Sequence, residues 1–109
     1  MPFILKEEFI TGELKDIEVE KPNEYQKLIR ELTYLEQQGY QYHGTREREL
    51  KAVKTKNYRV LYYLREHFII CLVCYKKQGQ KLPKKQYDTA IKRKKISEKQ
   101  FDDYFKLLK

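Results

Sequence analysis

The chain has 109 residues, of which 24 are Lys or Arg and 16 are Asp or Glu, so its formal net charge at pH 7 is +8. This length predicts one domain, residues 1–109, which can bury a hydrophobic core without disulfides or metals. The positive charge predicts a polyanionic partner, which can be RNA, DNA, an acidic protein or an anionic membrane surface. No apolar run approaches the length of a membrane span and no secretory leader is recognised, so we expect a soluble cytoplasmic protein.

The first twenty residues carry more acidic than basic side chains and only short apolar pieces. Thr11 and Gly12 stand between two of these pieces, and both are common turn residues. The pattern predicts a strand or a hairpin in this region.

The clearest predicted helix covers residues 22–39. Pro22 suits the first turn of a helix and Gly39 suits its end. Between them, apolar residues recur at the three- and four-residue spacing of one helical face, namely Tyr25, Leu28, Ile29, Leu32 and Leu35. We expect this face to pack on a sheet, and we expect the polar residues 40–45 to form a loop.

Three strands are predicted next, over residues 50–55, 58–64 and 68–75. The first two alternate between apolar and polar side chains, whereas the third is apolar on both faces and predicts a central strand that is covered on both sides. Short polar turns separate the three strands, so they form an antiparallel meander.

Two cysteines in the third strand, Cys71 and Cys74, have the spacing of many zinc and redox pairs. Residues three apart on a regular strand point to opposite faces, so their thiols are not expected to converge. We therefore predict two buried, unpaired cysteines and no metal site. No cofactor is expected either.

Residues 76–95 contain nine Lys or Arg and a single acidic residue, Asp88. This segment is the predicted basic patch. Within it, Pro83 can start a helix. The face of that helix directed to the sheet is predicted to carry Tyr87, Ala90, Ile91 and Lys94.

Residues 97–100, with the sequence Ser-Glu-Lys-Gln, match a capping box and predict the start of a separate last helix. The predicted fold class is therefore α+β, with a small antiparallel sheet, an N-terminal helix packed on it and basic C-terminal helices.

The sequence contains no glycine-rich phosphate loop, no zinc-protease motif and no nucleophile elbow. What remains is a concentration of Lys, Arg and Tyr at the strand ends. We expect Arg59, Lys76 and Lys77 to gather at one spot sized for a phosphodiester. Such a group can stabilise the negative charge that develops when a 2′-OH attacks the phosphorus of RNA, and Tyr can stack on unpaired bases. The alternative is a basic surface that binds a polyanion without cleaving it.

The run from Leu50 to Arg93 resembles the RelE/HigB family of bacterial toxin–antitoxin toxins, in particular its phage-type branch. The features that carry the resemblance are a strand ending in Lys54, the strand Tyr-Arg-Val-Leu-Tyr-Tyr at residues 58–63, an apolar strand running into Lys76 and Lys77, the lysine-rich segment around Pro83, and the helix sequence at residues 87–93.

This resemblance implies a RelE-like fold and an mRNA interferase that cleaves mRNA in the ribosomal A site through a 2′,3′-cyclic phosphate, without a metal. It implies three partners, namely the ribosome, mRNA and a cognate antitoxin that often contains a helix-turn-helix, and no membrane. The implied catalytic residues are Arg59, Lys76, Lys77 and Tyr87. The implied RNA-binding residues are Lys54, Lys81, Lys84, Lys85 and Arg93.

The chain also departs from the family pattern. Leu50 and Ala52 stand where some members carry catalytic lysines, and no histidine falls on the strands of the site. The general base therefore stays open among Tyr87, Lys81, Lys84 and Lys85. A non-nuclease poison of DNA gyrase of the ParE type, built on the same scaffold, and a basic nucleic-acid-binding module without toxicity are the alternative functions.

Overall fold

The structure, a computed structural model, describes residues 2–108. The helices and strands are, in chain order, β1 (Ile4–Lys6), α1 (Thr11–Glu20), α2 (Pro22–Gln38), β2 (Thr45–Glu47), β3 (Leu50–Lys54), β4 (Tyr58–Arg65), β5 (Phe68–Lys76) and α3 (Lys84–Leu107). Short 3-10 helices cover Glu8–Ile10 and Gly39–Gln41.

The strands form one five-stranded sheet in the order β1-β5-β4-β3-β2. Strands β2 to β5 are antiparallel neighbours, as the predicted meander requires, whereas β1 pairs parallel with β5. The predicted α+β class is confirmed, and the sheet is mixed rather than wholly antiparallel. Strand β2 was not predicted. It begins at Thr45, the last residue of the predicted loop, and ends at Glu47.

The N-terminal region differs from the predicted strand or hairpin, because only the short strand β1 is extended and most of the region is helical. Ile10, Leu14 and Ile17 have the spacing of one helical face, and all three are buried against the sheet. Gly12 is therefore not a turn residue but lies in the first turn of α1.

Helices cover both faces of the sheet. Helices α1 and α2 pack on one face through Leu14, Leu28, Leu32 and Leu35, which contact a cluster that includes Val60. Helix α3 packs on the other face, where Ala90 joins a second cluster with strand residues that include Leu50, Ala52, Leu61 and Ile70. The predicted docking of the Tyr87, Ala90 and Ile91 stripe on the sheet is confirmed.

The two cysteines are buried and unpaired, as predicted, but the geometric reason was wrong. Leu61 lies opposite Val73 and Tyr62 lies opposite Cys71, so the register shifts by one residue between these two pairs. This β-bulge interrupts the alternation of side chains. As a result, Cys71 and Cys74 lie on the same face, in the cluster beneath α1 and α2.

Helix α3 continues without a break through the predicted capping box. Ser97 is 4% exposed, and its Oγ accepts a hydrogen bond of 2.8 Å from the hydroxyl of Tyr63. The serine therefore contacts the sheet rather than starting a second helix, and the predicted pair of C-terminal helices is one helix. Among the described residues 2–108, no helix is long and apolar enough to cross a membrane.

Candidate functional site

A polar cleft lies where β3, β4 and β5 reach the same end of the sheet, on the face that α3 packs against. Lys54 lies directly opposite Arg59, and Arg59 lies directly opposite Tyr75. The cleft has a volume of about 220 Å³. We call it the strand-end cleft, and its lining consists of Glu47, Lys54, Arg59, Tyr75, Lys77, Gln78, Gly79, Gln80, Lys81 and Leu82.

The guanidinium of Arg59 is held by the turn that joins β3 to β4. Its Nη1 donates hydrogen bonds to the carbonyl oxygen of Thr55 at 2.5 Å and to that of Tyr58 at 2.9 Å. The turn itself is closed by a hydrogen bond of 3.1 Å from the amide of Thr55 to the carbonyl oxygen of Tyr58. Because both guanidinium bonds use Nη1, the other nitrogens can donate to a ligand in the cleft.

Glu47 brings a carboxylate into the same cleft. Its Oε1 lies 3.5 Å from Nζ of Lys54, and the two side chains are 29% and 39% exposed. Sequence reasoning missed Glu47 because β2 is too short and polar to show a strand pattern. Glu47 could have been found by searching the residues before β3 for a hairpin partner of that strand, since Glu47 lies opposite Leu50.

Tyr75 places a phenol beside Arg59 and was also missed as a site residue, because it belongs to the predicted central strand. Burial raises the pKa of Tyr75, the nearby Glu47 raises it further, and Arg59 lowers it. Tyr75 is therefore a neutral phenol at pH 7, which can donate a hydrogen bond but is not a ready base.

The loop after β5 supplies the remaining cations of the cleft, Lys77 and Lys81, which are both exposed. The amide of Lys77 donates a hydrogen bond of 2.7 Å to the carbonyl oxygen of Asn57, which extends the pairing of β4 and β5 by one residue. Gly79 has φ +74°, a left-handed conformation that favours glycine and lets the chain turn back toward α3.

Lys76 does not line the strand-end cleft. It lies opposite Tyr58, whose side chain packs in the cluster beneath α1 and α2, so Lys76 points to that side of the sheet. The expected convergence of three cations therefore holds for Arg59 and Lys77 but not for Lys76. The physical reason is strand alternation, since neighbouring residues leave a strand on opposite faces.

Tyr87 lies outside the cleft lining and contacts the turn between β2 and β3 instead. Its hydroxyl donates a hydrogen bond of 2.9 Å to Oε1 of Glu49, and the guanidinium of Arg48 lies 4.5 Å from its ring centre. Partial desolvation and the bond to Glu49 raise the pKa of Tyr87, although Arg48 opposes this change. The phenolate that a Tyr87 base requires is thus disfavoured.

Arg93 is engaged in packing rather than presented to solvent. Its Nη1 donates hydrogen bonds to the carbonyl oxygens of Phe9 at 3.1 Å and Leu72 at 2.8 Å, and its guanidinium lies 5.7 Å from the Phe9 ring centre. Lys84 and Lys85 are exposed at the start of α3 and do not line the cleft. Of the five predicted RNA-binding residues, Lys54 and Lys81 lie in the cleft.

Two larger hollows lie elsewhere on the surface. One, of about 590 Å³, is lined mainly by aromatic and apolar residues between β5 and α3, and the other, of about 440 Å³, lies where α3 approaches the other ends of β3 and β4. Neither contains a predicted catalytic residue, so we regard the smaller strand-end cleft as the candidate site. No cluster of three or more potential metal ligands occurs within residues 2–108.

Comparison with known proteins places the chain in a family. The family described as "Phage derived protein Gp49-like (DUF891)" matches residues 14–95, which is more than half of the chain. That range includes α2, strands β2 to β5 and every residue of the strand-end cleft. No curated protein and no solved structure matches the chain.

Proposed function

The chain belongs to the Gp49-like family of phage-derived proteins, and from that premise we propose that it is a toxin of a bacterial toxin–antitoxin system. We further propose that it is an mRNA endoribonuclease of the RelE/HigB type that acts on the ribosome and inhibits translation. Its proposed partners are the ribosome, mRNA and a cognate antitoxin, expected to be of the helix-turn-helix type.

The observation that carries this proposal is the composition of the strand-end cleft. Four cations, Lys54, Arg59, Lys77 and Lys81, line a space of about 220 Å³ together with the carboxylate of Glu47. Several cations around a small space attract a phosphodiester and stabilise it most when its negative charge increases. A surface that only binds a polyanion does not need a carboxylate among these cations.

The proposed reaction is a transesterification. A base removes the proton of the 2′-OH, and the 2′-oxygen forms a new bond to the adjacent phosphorus. The bond from phosphorus to the 5′-oxygen breaks, and an acid supplies a proton to that oxygen. The products are a 2′,3′-cyclic phosphate and a free 5′-OH, with no change of oxidation state.

Each step has a suitable group in the cleft. Arg59, held by its turn, stabilises the extra charge on the phosphorus oxygens. Glu47 can accept the proton of the 2′-OH, because a carboxylate is an acceptor and Lys54 keeps it at the edge of the cleft. Lys77 can supply the proton to the leaving 5′-oxygen, and Tyr75 donates a hydrogen bond or stacks on a base.

The test is inducible expression in bacteria, with growth and transcript ends measured together. The unaltered chain is expected to arrest growth and to leave mRNA cut within codons, with a 2′,3′-cyclic phosphate at the upstream fragment. Arg59→Ala is expected to lower the cleavage rate by at least about a hundredfold, the scale of losing one oriented donor to a transition-state oxyanion.

Arg30→Ala is the matched control, since Arg30 is exposed on α2, which packs on the face of the sheet opposite the cleft. It is expected to leave cleavage unchanged. Intact transcripts during growth arrest would contradict the nuclease proposal, and DNA damage under the same conditions would point to the gyrase-poison alternative. Harmless expression of a folded chain would contradict the toxin assignment itself.

A further inference from the structure

Helix α3 has two chemically different faces. The inner face packs on the sheet, and Lys94 on its border forms ion pairs with Glu49 at 3.9 Å and with Glu98 at 3.6 Å. Between residues 84 and 99 the outer face is exposed and carries five lysines and one acidic residue, Asp88. We call its lysines the lysine ridge, which consists of Lys84, Lys85, Lys92, Lys95 and Lys99.

The lysine ridge is straight because of helix geometry. Lys85, Lys92 and Lys99 are seven residues apart, close to two turns of helix, so they form a row along one side of α3. At 1.5 Å per residue the row is about 21 Å long. Lys84 and Lys95 lie beside the row on the same outward side.

The ridge is not neutralised by the protein. None of its five ammonium groups forms an ion pair with another residue of the described part of the chain. Asp88 lies on the same side of the helix, three residues after Lys85 and four before Lys92, so the ridge keeps an excess of four positive charges. Closely spaced charges of one sign repel each other, and an anion that lies along them removes this repulsion.

The composition of the ridge favours one class of partner. Protein interfaces are typically depleted in Lys and rely on aromatic or Arg anchors, and membrane-binding helices need an apolar face to insert. Beside the ridge, Ile96 is the exposed large apolar side chain between residues 84 and 99. A row of flexible ammonium groups suits a phosphate backbone, whose contacts are mainly electrostatic.

We propose that the lysine ridge binds the backbone of double-stranded RNA, as a surface separate from the strand-end cleft. Single strands are usually bound through aromatic stacking platforms as well as charge, and the outer face has no aromatic side chain between residues 84 and 99. A duplex with regularly spaced phosphates matches a straight row of cations that a single helix carries. The choice of RNA over DNA rests on the proposed function.

The ridge can be tested by binding alone, in the Arg59→Ala background, so that cleavage does not affect the result. The probe is a labelled, blunt RNA duplex of about 20 base pairs, longer than the roughly 16 base pairs that a double-stranded-RNA-binding domain contacts. Fluorescence anisotropy at several salt concentrations gives the slope of log affinity against log salt.

The test variant replaces Lys92, Lys95 and Lys99 by Gln, which keeps helix propensity nearly unchanged. The magnitude of the slope is expected to fall by roughly 2 to 3, since each lost phosphate contact contributes about 0.9 on a duplex. The matched control replaces Lys15, Lys21 and Lys27 by Gln. These lysines are exposed on or beside α1 and α2, so the control has the same change in net charge and is expected to keep the slope.

Four results would overturn the proposal. The first is an equal loss of slope in both triple variants, because net charge alone would then explain binding. The second is tighter binding to a DNA duplex of the same sequence. The third is failure to bind the RNA duplex while vesicles with anionic lipids are bound through the ridge. The fourth is absence of duplex binding when the unaltered chain still cleaves mRNA, which would refute the role of the ridge and leave the proposed function intact.

Discussion

The two faces of the sheet are covered to different extents. Two helices, α1 and α2, pack on one face, whereas α3 alone packs on the other. Five strands at about 4.8 Å spacing make a sheet about 19 Å wide, and a helix with its side chains is about 10 Å across. Two helices can therefore close a face, while one helix leaves part of it open.

The candidate site lies on the face that is less covered. Val53 and Val60 point beneath α1 and α2 and are fully buried, while Lys54 and Arg59, their neighbours in sequence, point to the other side and line the cleft. Alternation in the same two strands thus supplies apolar residues to the closed face and polar residues to the open one. The closed face stabilises the fold, and the side chains of the open face can differ in chemistry without disturbing that packing.

The largest expected effect on stability concerns Ile70, which lies on the open face at a place that α3 covers. Ile70 is 2% exposed there, and Ile70→Asp would bury a carboxylate without a partner, so we expect the protein not to fold. Far-UV circular dichroism and soluble yield measure this. The control Val19→Asp, at a side chain that is 74% exposed, is expected to cost less than about 1 kcal/mol. A folded Ile70→Asp protein would show that α3 does not exclude water from β5.

Truncation of a leucine on each face compares their packing. Leu32→Ala on the closed face is expected to lower the free energy of unfolding by about 2–5 kcal/mol, because Leu32 is fully buried and leaves a cavity. Leu82→Ala at the half-buried rim of the cleft is expected to cost about 1 kcal/mol. Urea unfolding of both variants gives the values. Equal losses would mean that the two faces are equally well packed.

Alkaline pH provides a third comparison. Burial, with a smaller contribution from Cys71, raises the pKa of Tyr62 on the closed face from 10.0 to about 12. Between these values the unfolded chain loses the phenolic proton and the folded chain keeps it, so stability is present below pH 10 and is lost as the pH rises toward about 12.

The measurement is the free energy of unfolding against pH for the unaltered chain and for Tyr62→Phe. The variant is expected to remove a loss on the order of 2 kcal/mol across that range. Tyr75→Phe, on the open face, is expected to remove less, since Tyr75 is only partly buried whereas Tyr62 is fully buried. If both variants reduce the pH dependence of the unfolding free energy equally, the surroundings of the two phenols do not shift their pKa values to different extents.

The smallest expected effect concerns the hydrogen bond that fixes α3 to the sheet. Tyr63→Phe removes the donor to Ser97 and is expected to cost about 1 kcal/mol, because a buried hydroxyl loses its partner. Adding Ser97→Ala should cost little more, since the bond is already absent. A double-mutant cycle by thermal unfolding measures the coupling, and fully additive losses would show that the bond does not stabilise the protein.

Much of the architecture could be predicted from local sequence. The spacing of Leu28, Leu32 and Leu35 predicts α2 because a helix exposes one face every 3.6 residues. The alternation and apolar content of residues 50–75 predict β3, β4 and β5 because a strand repeats every two residues. The same two-residue repeat places Arg59 and Lys77 on the face of the sheet that carries the cleft. It places Lys76 on the opposite face, so it could have excluded Lys76 from the predicted site.

The errors arise where distant partners decide the local structure. Ser97 has the sequence signature of a helix start, but its hydroxyl is bound by Tyr63, 34 residues away. The bulge that brings Cys71 and Cys74 to one face depends on the register between two strands. Residues 8–20 become helical as α1 packs on the sheet, and β1 is a strand by virtue of its pairing with β5.

The sequence by itself determined the α+β class, the helix α2, three strands and the positive charge around their ends, because these depend on periodicity and composition within a short window. Only the tertiary structure decided that Glu47 and Tyr75 join the cleft, that Tyr87 and Arg93 are engaged elsewhere, and that α3 presents a row of lysines to solvent. The reason is physical: which side of a strand or helix meets water is set by the elements that pack against it, and these are remote in the chain.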